Sequence, residues 1–165
     1  HLVLSTLHTN NAAETITRLL EMGMEPFSFA DSLLCVLGQR LVRTICPKCR
    51  EPYQPDQAEV DALVGGYGEQ EFAALGIGGN GAFPPLSRGG GCEDCNGTGY
   101  RGRMGIHELL VASDAIKKLV RTRASVDELK RVATAEGMTT LLQDGILKIL
   151  SGATDHKQVW SVAMR

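Results

Sequence analysis

Four cysteines are the residues of this chain with the clearest capacity for chemistry. They form two Cys-x-x-Cys pairs, one in Cys46-Pro-Lys-Cys49 and one in Cys92-Glu-Asp-Cys95. This spacing lets both thiolates of a pair bind one ion, and two pairs complete the tetrahedral four-cysteine shell of a structural zinc site, which leaves no open position for a substrate. The sequence therefore predicts a structural Zn²⁺ bound by all four thiolates.

Three other uses of these thiols remain open: two disulfides, a redox pair, or four unrelated buried thiols. Disulfides would require an oxidising compartment, but no signal peptide is visible at the N-terminus and five cysteines leave one unpaired. A redox Cys-x-x-Cys usually occurs singly. The fifth cysteine, Cys35, falls in an apolar run with helical spacing (Ala30, Leu33, Leu34 and Leu37), so we expect an inert core thiol.

Glycines surround the second cysteine pair. Gly97 and Gly99 follow Cys95 and suit a tight turn with positive φ, in which backbone amides point at the sulfur atoms. Residues 50–91 separate the two pairs, which is far more than a zinc finger allows. We therefore expect the metal to join two strands that flank an insertion, because zinc binding, worth on the order of 10–16 kcal/mol in small peptides, offsets the entropy of loop closure.

The composition indicates a soluble globular chain with one domain and a subdomain. The chain has 165 residues, 43% of them hydrophobic and 22% charged, with a formal net charge of −2. No apolar run approaches the ~20 residues that span a bilayer, and the charge balance disfavours broad nucleic-acid binding. Basic residues near the cysteines form either a patch for phosphates or acidic groups or a solvated rim: Arg40, Arg43, Lys48, Arg50, Arg101 and Arg103.

The N-terminal residues combine a strand pattern with polar side chains. The chain starts at His1 without an initiator methionine, which we interpret as a fragment, and the apolar residues 2–4 predict a buried strand of a parallel sheet. A helix should follow, with Asn11 as its N-cap and Gly23 at its end. In open α/β sheets ligands bind outside the carboxyl ends of strands, where His8 would lie, although a lone histidine there is more often structural.

The rest of the chain predicts helices and one long strand. Residues 54–91 are broken by glycines, with short helices expected at 56–64 and 69–75, and form either a variable surface loop or a segment that contacts a partner beside the metal. Residues 100–110 alternate as in a strand. Four helices should follow, with these apolar stripes or caps: Ile116, Leu119 and Val120; Ser125 and Glu128; Leu141, Ile146 and Ile149; and either Thr154 or Asp155 with Val159 and Trp160.

Six segments, in this order, resemble the traffic ATPases of secretion and pilus assembly. The resemblance is strongest to the tetracysteine branch that powers type II secretion and type IV pilus extension, because the retraction motors of the family lack the four cysteines. The segments are the histidine box His1–Ala12, Arg18–Gly23, Gln39–Arg43 leading into the first cysteine pair, Cys92–Arg103, Gly105–Leu110, and Asp144-Gly145 with Gly152–Thr154.

The resemblance implies an α/β fold that is the C-terminal part of a RecA-like nucleotide-binding domain, with an inserted four-cysteine zinc subdomain and a helical C-terminal lobe. The implied parts are 1–45 for the ATPase core with the histidine box, 46–99 for the tetracysteine subdomain with its glycine-rich insert, and 100–165 for the strand and helical lobe.

The resemblance also implies a function. It implies a bacterial homo-hexamer that uses ATP and Mg²⁺ to act on an inner-membrane platform protein, in the cytoplasm at the periphery of that membrane. His1 and His8 match the two histidines of the box, and His8 is expected near the γ-phosphate. Arg40 and Arg43 either approach nucleotide or cover the zinc subdomain. The chain contains no Gly-x-x-x-x-Gly-Lys-[Ser/Thr] loop, so we expect no catalytic residue here and no ATP hydrolysis by this piece alone.

Two functions of other classes compete with the motor. A zinc-bound adaptor or chaperone-like module is one, because Cys92-x-x-Cys95-x-Gly97-x-Gly99 resembles J-type co-chaperone repeats, although the motif occurs once here. A nucleic-acid-binding zinc ribbon is the other, and the net charge disfavours it. Neither accounts for the histidine box.

Overall fold

The structure, a computed structural model, describes residues 1–77 and 83–163 and is a mixture of helices and strands. The helices are α1 (Ala12–Glu21), α2 (Pro26–Ser32), α3 (Gln57–Tyr67), α4 (Glu69–Ala74), α5 (Asp114–Arg121), α6 (Val126–Ala135), α7 (Leu141–Leu150) and α8 (His156–Ala163). The strands are β1 (Cys35–Ile45), β2 (Arg50–Tyr53), β3 (Leu86–Gly89) and β4 (Tyr100–Val111), and a 3-10 turn covers Glu93–Cys95. The α/β class predicted from the sequence is confirmed at this level.

Side-chain caps fix where the helices begin. The Asn11 carboxamide accepts a hydrogen bond from the Glu14 amide at 2.9 Å, and the Ser125 hydroxyl accepts one from the Glu128 amide at 3.3 Å. Asp155 accepts from the Gln158 amide at 3.0 Å at the start of α8. These caps satisfy amides that have no partner inside the helix. The helices predicted from the sequence for α1, α5, α6, α7 and α8 are confirmed, and so are the starts predicted for α1 and α6.

The strands form two small sheets. β1 pairs with β4, and β2 pairs with β3 in an antiparallel ribbon in which Arg50 lies opposite Gly89 and Tyr53 opposite Leu86. The extended segment predicted at 100–110 is β4, and the short helices predicted at 56–64 and 69–75 are α3 and α4. The ribbon therefore joins the two ends of the insertion beside the cysteine pairs.

The chain divides into two compact units, each discontinuous in sequence. Unit 1 contains residues 1–39 and 107–140, and unit 2 contains residues 40–106 and 141–165. The buried core of unit 1 is Ala12, Ala13, Ile16, Leu20, Phe29, Ala30, Leu110, Ile116, Val120, Leu129, Ala133 and Met138. The buried core of unit 2 is Val42, Leu63, Tyr67, Phe72, Leu86, Ile106, Leu141, Ile146, Ile149 and Val159. Each unit thus buries its own apolar cluster.

Two expectations about the first third of the chain are wrong. Residues 2–4 form no strand, and Leu4 is 89% exposed, because a strand needs a neighbour and none of the described strands pairs with this segment. Cys35 is exposed at the start of β1 and is not in a helix. The apolar run that suggested a helix face spans the end of α2 and the start of β1, so its spacing mixes two periods.

The insertion is also more ordered than a surface loop. Gly65 and Gly66 do not break a helix, because α3 continues through both of them. Leu63 and Phe72 are buried in the core of unit 2, so the interpretation of 54–91 as a variable surface loop is wrong for the helices. Residues 78–82, including the predicted breaks at Gly78, Gly79 and Gly81, lie outside the described residues.

Candidate metal centre

The four cysteines of the two pairs meet in unit 2. Their Sγ atoms all lie within 4.8 Å of one another. Three of the six separations are 3.9 Å for Cys46 and Cys92, 3.8 Å for Cys49 and Cys95, and 3.7 Å for Cys92 and Cys95. Four sulfurs around one Zn²⁺ at about 2.3 Å would be about 3.8 Å apart along each edge of the tetrahedron. The sulfur cluster therefore has the size of a tetrahedral metal shell.

The first cysteine pair sits in the turn between β1 and β2. The Cys49 amide donates to the Cys46 carbonyl at 3.3 Å, which closes the turn. The Cys46 amide donates to the carbonyl of Gly99, and the amide of Gly90 donates to the carbonyl of Cys49, both at 2.9 Å. Backbone bonds thus tie this turn to the segments on both sides of the second pair.

The second pair forms a tight turn that surrounds one sulfur with donors. The Cys95 amide donates to the Cys92 carbonyl at 3.2 Å, and Asn96 then takes a left-handed conformation with φ of 51°. The amides of Cys92 and Gly99 each donate to Cys95 Sγ at 3.2 Å. Gly97 and Gly99 have φ of 72° and 77°, as the sequence predicted.

Close backbone contacts explain why positions 89 and 91 are glycines, which the sequence alone did not predict. A Cβ on Gly89 would lie 2.1 Å from the carbonyl oxygen of Gly99, and one on Gly91 would lie 2.8 Å from that of Gly97. The segment before Cys92 and the segment after Cys95 therefore pack backbone to backbone. The run Gly89-Gly90-Gly91 was the available signal, but a run of glycines predicts a break as readily as a close approach.

The thiols differ in acidity because their surroundings differ. Hydrogen bonds from the Cys92 and Gly99 amides lower the pKa of Cys95 to about 6, against the opposing effect of burial. Burial raises the pKa of Cys49 to about 12, and burial also raises the pKa of Cys92. Buried thiols that neighbour one another need a cation among them before all can be thiolates. The donor set suits a soft divalent ion.

The predicted histidines and two of the basic residues near the cysteines are exposed or have partners. His1 and His8 are exposed residues of unit 1, and their predicted role near nucleotide stays a prediction. The Arg43 guanidinium lies 5.7 Å from the centre of the Tyr100 ring. Arg101 pairs with Asp94 at 3.5 Å on the surface. These two arginines therefore have partners within unit 2.

The sequence of the chain matches known proteins over most of its length. A family model described as Type II/IV secretion system protein matches residues 1–161. The chain is 46% identical over 159 residues, 96% of its length, to the type IV pilus assembly ATPase PilB of Thermus thermophilus. It is 45% identical over 163 residues to the type II secretion system protein E of Pseudomonas aeruginosa, and 41% identical over 162 residues to the type II secretion system ATPase E of Vibrio cholerae, each match covering 98% of this chain.

The chain is short beside these relatives. The matched region makes up 17% of the Thermus thermophilus protein, 30% of the Pseudomonas aeruginosa protein and 29% of the Vibrio cholerae protein. Among the residues that the structure describes, no helix has the length and apolar character needed to cross a membrane.

Proposed function

This chain belongs to the type II/IV secretion system protein family, and from that premise we propose that it is part of an ATPase that drives type II secretion or type IV pilus assembly. The match of the family over residues 1–161 carries the proposal. Two of the relatives are named as ATPases, one of pilus assembly and one of type II secretion. No feature of the described residues favours the adaptor or nucleic-acid alternatives.

The four cysteines of unit 2 are, in this proposal, the ligands of a structural Zn²⁺. The ion would neutralise thiolates of Cys46, Cys49, Cys92 and Cys95 and leave no position for a substrate. Three of their six sulfur separations, at 3.7–3.9 Å, match the edge of a tetrahedral site, and all four sulfurs lie within 4.8 Å of one another. Its effect would be mechanical, because it fixes the turn after β1 against the turn before β4 and so closes the base of the insertion that contains α3 and α4.

The nucleotide chemistry belongs, in this proposal, to a longer polypeptide. We place His1 and His8 next to bound nucleotide, with His8 near the γ-phosphate, where an imidazole can donate a hydrogen bond to an oxygen or orient water. ATP and Mg²⁺ would be held by residues outside this sequence, because its 165 residues contain no phosphate-binding loop. The segment alone would then not hydrolyse ATP.

The assembly is the remaining part of the proposal. We propose a homo-hexamer with a RecA-like core that includes 1–45, a tetracysteine subdomain at 46–99 and a helical lobe within 100–165. It would act from the cytoplasm on a platform protein of the inner membrane, and the insertion beside the metal offers one surface for that contact.

Steady-state ATP turnover by the full-length protein tests this function. The unchanged protein should hydrolyse ATP with Mg²⁺ and contain about one zinc per chain. His8→Ala should lower turnover by at least about tenfold, the scale of losing one stabilised charge contact, whereas Thr6→Ala, in the same exposed segment, should not. Absence of turnover in a folded, nucleotide-binding, full-length protein would refute the proposed function, and full activity of His8→Ala would refute the role of His8.

A further inference from the structure

Unit 1 contains a buried carboxylate at Glu108 on β4. Glu108 is 5% exposed, and among the residues that the structure describes it is the one buried residue with a carboxyl side chain. Removing a carboxylate from water is costly unless hydrogen bonds compensate for the lost solvation. A glutamate in this position therefore calls for a specific partner.

One partner of Glu108 is the first residue of α1. The Glu108 carboxylate accepts a hydrogen bond from the amide of Ala12 through its Oε1 atom. Ala12 opens α1, and the first amides of a helix have no acceptor inside the helix. The negative charge of Glu108 also lies at the positive end of the helix dipole. A side chain from β4 thus fixes the point where α1 begins.

Gly38 on β1 leaves the room that this contact needs. A Cβ at Gly38 would lie 2.8 Å from Glu108 Cγ and 3.1 Å from Glu108 Oε1. Contacts below 3.0 Å force a shift, so any larger residue at position 38 would displace the carboxylate from Ala12. Gly38 and Glu108 therefore act as a pair.

The loop that follows His8 is bound to the same end of α1. Thr9 Oγ1 lies 2.6 Å from Thr15 Oγ1, and the Asn10 amide donates to the Glu14 carboxylate at 3.0 Å. Asn11 caps the helix through the Glu14 amide at 2.9 Å. Residues 9–12 are therefore connected to the first turn of α1, whose own position depends on Glu108.

We propose that Glu108 is a positioning residue for the histidine segment. Its carboxylate holds the start of α1, and the polar contacts of residues 9–11 carry that position to His8. The inference rests on the proposed function only for what His8 does; the placement of the segment by Glu108 concerns unit 1 itself. Gly38 is part of the same arrangement, because its lack of a side chain leaves space for the Glu108 carboxylate.

Hydrogen exchange at single-residue resolution in the full-length protein tests the placement. Glu108→Ala should speed exchange of the Ala12 amide by at least about tenfold, because its acceptor is lost. Glu108→Gln keeps an acceptor oxygen and should restore most of the protection. Gly38→Ala should reproduce the effect of Glu108→Ala, while Gly65→Ala, where an added Cβ meets nothing within 4 Å, should not.

Two exchange results would overturn the proposal. One is unchanged Ala12 exchange in both Glu108→Ala and Gly38→Ala. The other is an equal loss of protection across α1, α5 and α6, which would assign Glu108 to general stability. If Glu108→Ala does not fold, the other two variants test the proposal. Exchange of the Ala12 amide must then be faster in Gly38→Ala and close to that of the unchanged protein in Glu108→Gln.

Turnover in a double-mutant cycle tests the link to His8. Glu108→Ala should lower kcat for ATP, Glu108→Gln should recover it, and adding Glu108→Ala to His8→Ala should cause little further loss. Fully additive losses would overturn the link. If His8→Ala itself keeps full turnover, the proposed role of His8 fails, and the exchange data alone then decide whether Glu108 places the segment.

Discussion

At the scale of single residues, the cysteine cluster combines one thiol of lowered pKa with two of raised pKa. Cys95 receives two backbone amides at 3.2 Å, and its pKa falls to about 6. Cys49 has its pKa raised to about 12 by burial. A cluster of this kind is stable as neutral thiols or as thiolates around a cation, because four uncompensated negative charges in so small a volume would repel one another. Four sulfurs within 4.8 Å of one another could therefore hold a metal ion, whose positive charge would allow all four to be thiolates in so small a volume.

Zinc content should fall when any of the four clustered cysteines is replaced and should not change when Cys35 is replaced. Cys46→Ser, Cys49→Ser, Cys92→Ser and Cys95→Ser should each lower zinc well below one per chain, since each removes a thiolate of the tetrahedral shell. Cys35→Ser is the matched control, because Cys35 is exposed and outside the cluster. Elemental analysis of the purified proteins measures this. Equal zinc in Cys95→Ser and Cys35→Ser would contradict the site.

The phenol of Tyr100 predicts a loss of stability at alkaline pH. The pKa of Tyr100 is raised to about 12, chiefly by burial and also by the hydrogen bond to Asp155. In an unfolded chain the pKa of tyrosine is about 10. Between these two values the unfolded chain loses the proton and the folded chain keeps it, so stability is complete below about pH 10 and falls as pH rises towards 12.

Urea denaturation at pH 8 and pH 11 measures this contribution. Tyr100→Phe removes the ionisable group, so the variant should lose less stability than the unchanged protein over that interval, although it loses the bond to Asp155 at both pH values. Identical pH dependence in the two proteins would contradict the assignment to Tyr100.

At the scale of elements, α3 contains two adjacent glycines in different surroundings. A Cβ on Gly65 would meet nothing within 4 Å, whereas one on Gly66 would lie 3.2 Å from atoms of Leu142, Ile146 and Trp160. Alanine favours a helix over glycine by about 1 kcal/mol at either position. Any difference in stability between alanine at position 65 and alanine at position 66 therefore comes from the packing of α3 against α7 and α8.

Gly65→Ala should stabilise unit 2 by up to about 1 kcal/mol. Gly66→Ala should be less stable than Gly65→Ala by roughly 1 kcal/mol, because three side-chain ends must move to admit the methyl group. Urea denaturation followed by circular dichroism measures both. Equal stability of the two variants would show that the packing around Gly66 yields freely.

Elements that depend on local signals could be predicted, and those that depend on distant partners could not. Asn11 and Asp155 cap helices where the sequence placed them, because a cap acts within one turn. The Cys-x-x-Cys spacing likewise predicts each thiol pair, because its two cysteines lie within a single turn, whereas the meeting of the two pairs was expected only because a structural zinc site takes four ligands. Residues 2–4 look like a strand yet pair with none of the described strands, because strand pairing is a non-local property.

Tertiary packing explains two features that the sequence did not indicate: the glycines inside α3 and the buried carboxyl group of Glu108. Gly65 and Gly66 predicted a break, but burial of Leu63 and Tyr67 in unit 2 outweighs their weak helix propensity. Glu108 lies in the segment Gly105–Leu110 that carries part of the family resemblance, but no local pattern gives its role, since that role depends on Ala12, far away in the sequence. Contacts of this kind can be read only from the folded chain.

At the scale of the whole molecule, the chain holds two cores that are assembled from interleaved segments. β1 and β4 each contribute residues to both units, so neither unit is a continuous piece of sequence. Ile16 and Leu110 belong to one apolar cluster, and Val42 and Ile106 to the other. The four clustered cysteine side chains, which could hold a metal ion, all belong to unit 2.

Metal removal should therefore act on one unit more than the other. After treatment with a strong chelator, amides of residues 46–53 and 86–100 should exchange faster, because the proposed metal would hold these segments together across an insertion whose closure costs entropy. Amides of α1, α5 and α6 should keep most of their protection, because unit 1 buries its own apolar core. Restoring zinc should reverse the change, and a chelated Cys92→Ser protein should show no additional loss.

Two outcomes would contradict this prediction. Complete metal removal without faster exchange at 46–53 and 86–100 would contradict a structural role for the ion. Loss of protection in unit 1 to the same extent would show that the two cores do not unfold separately.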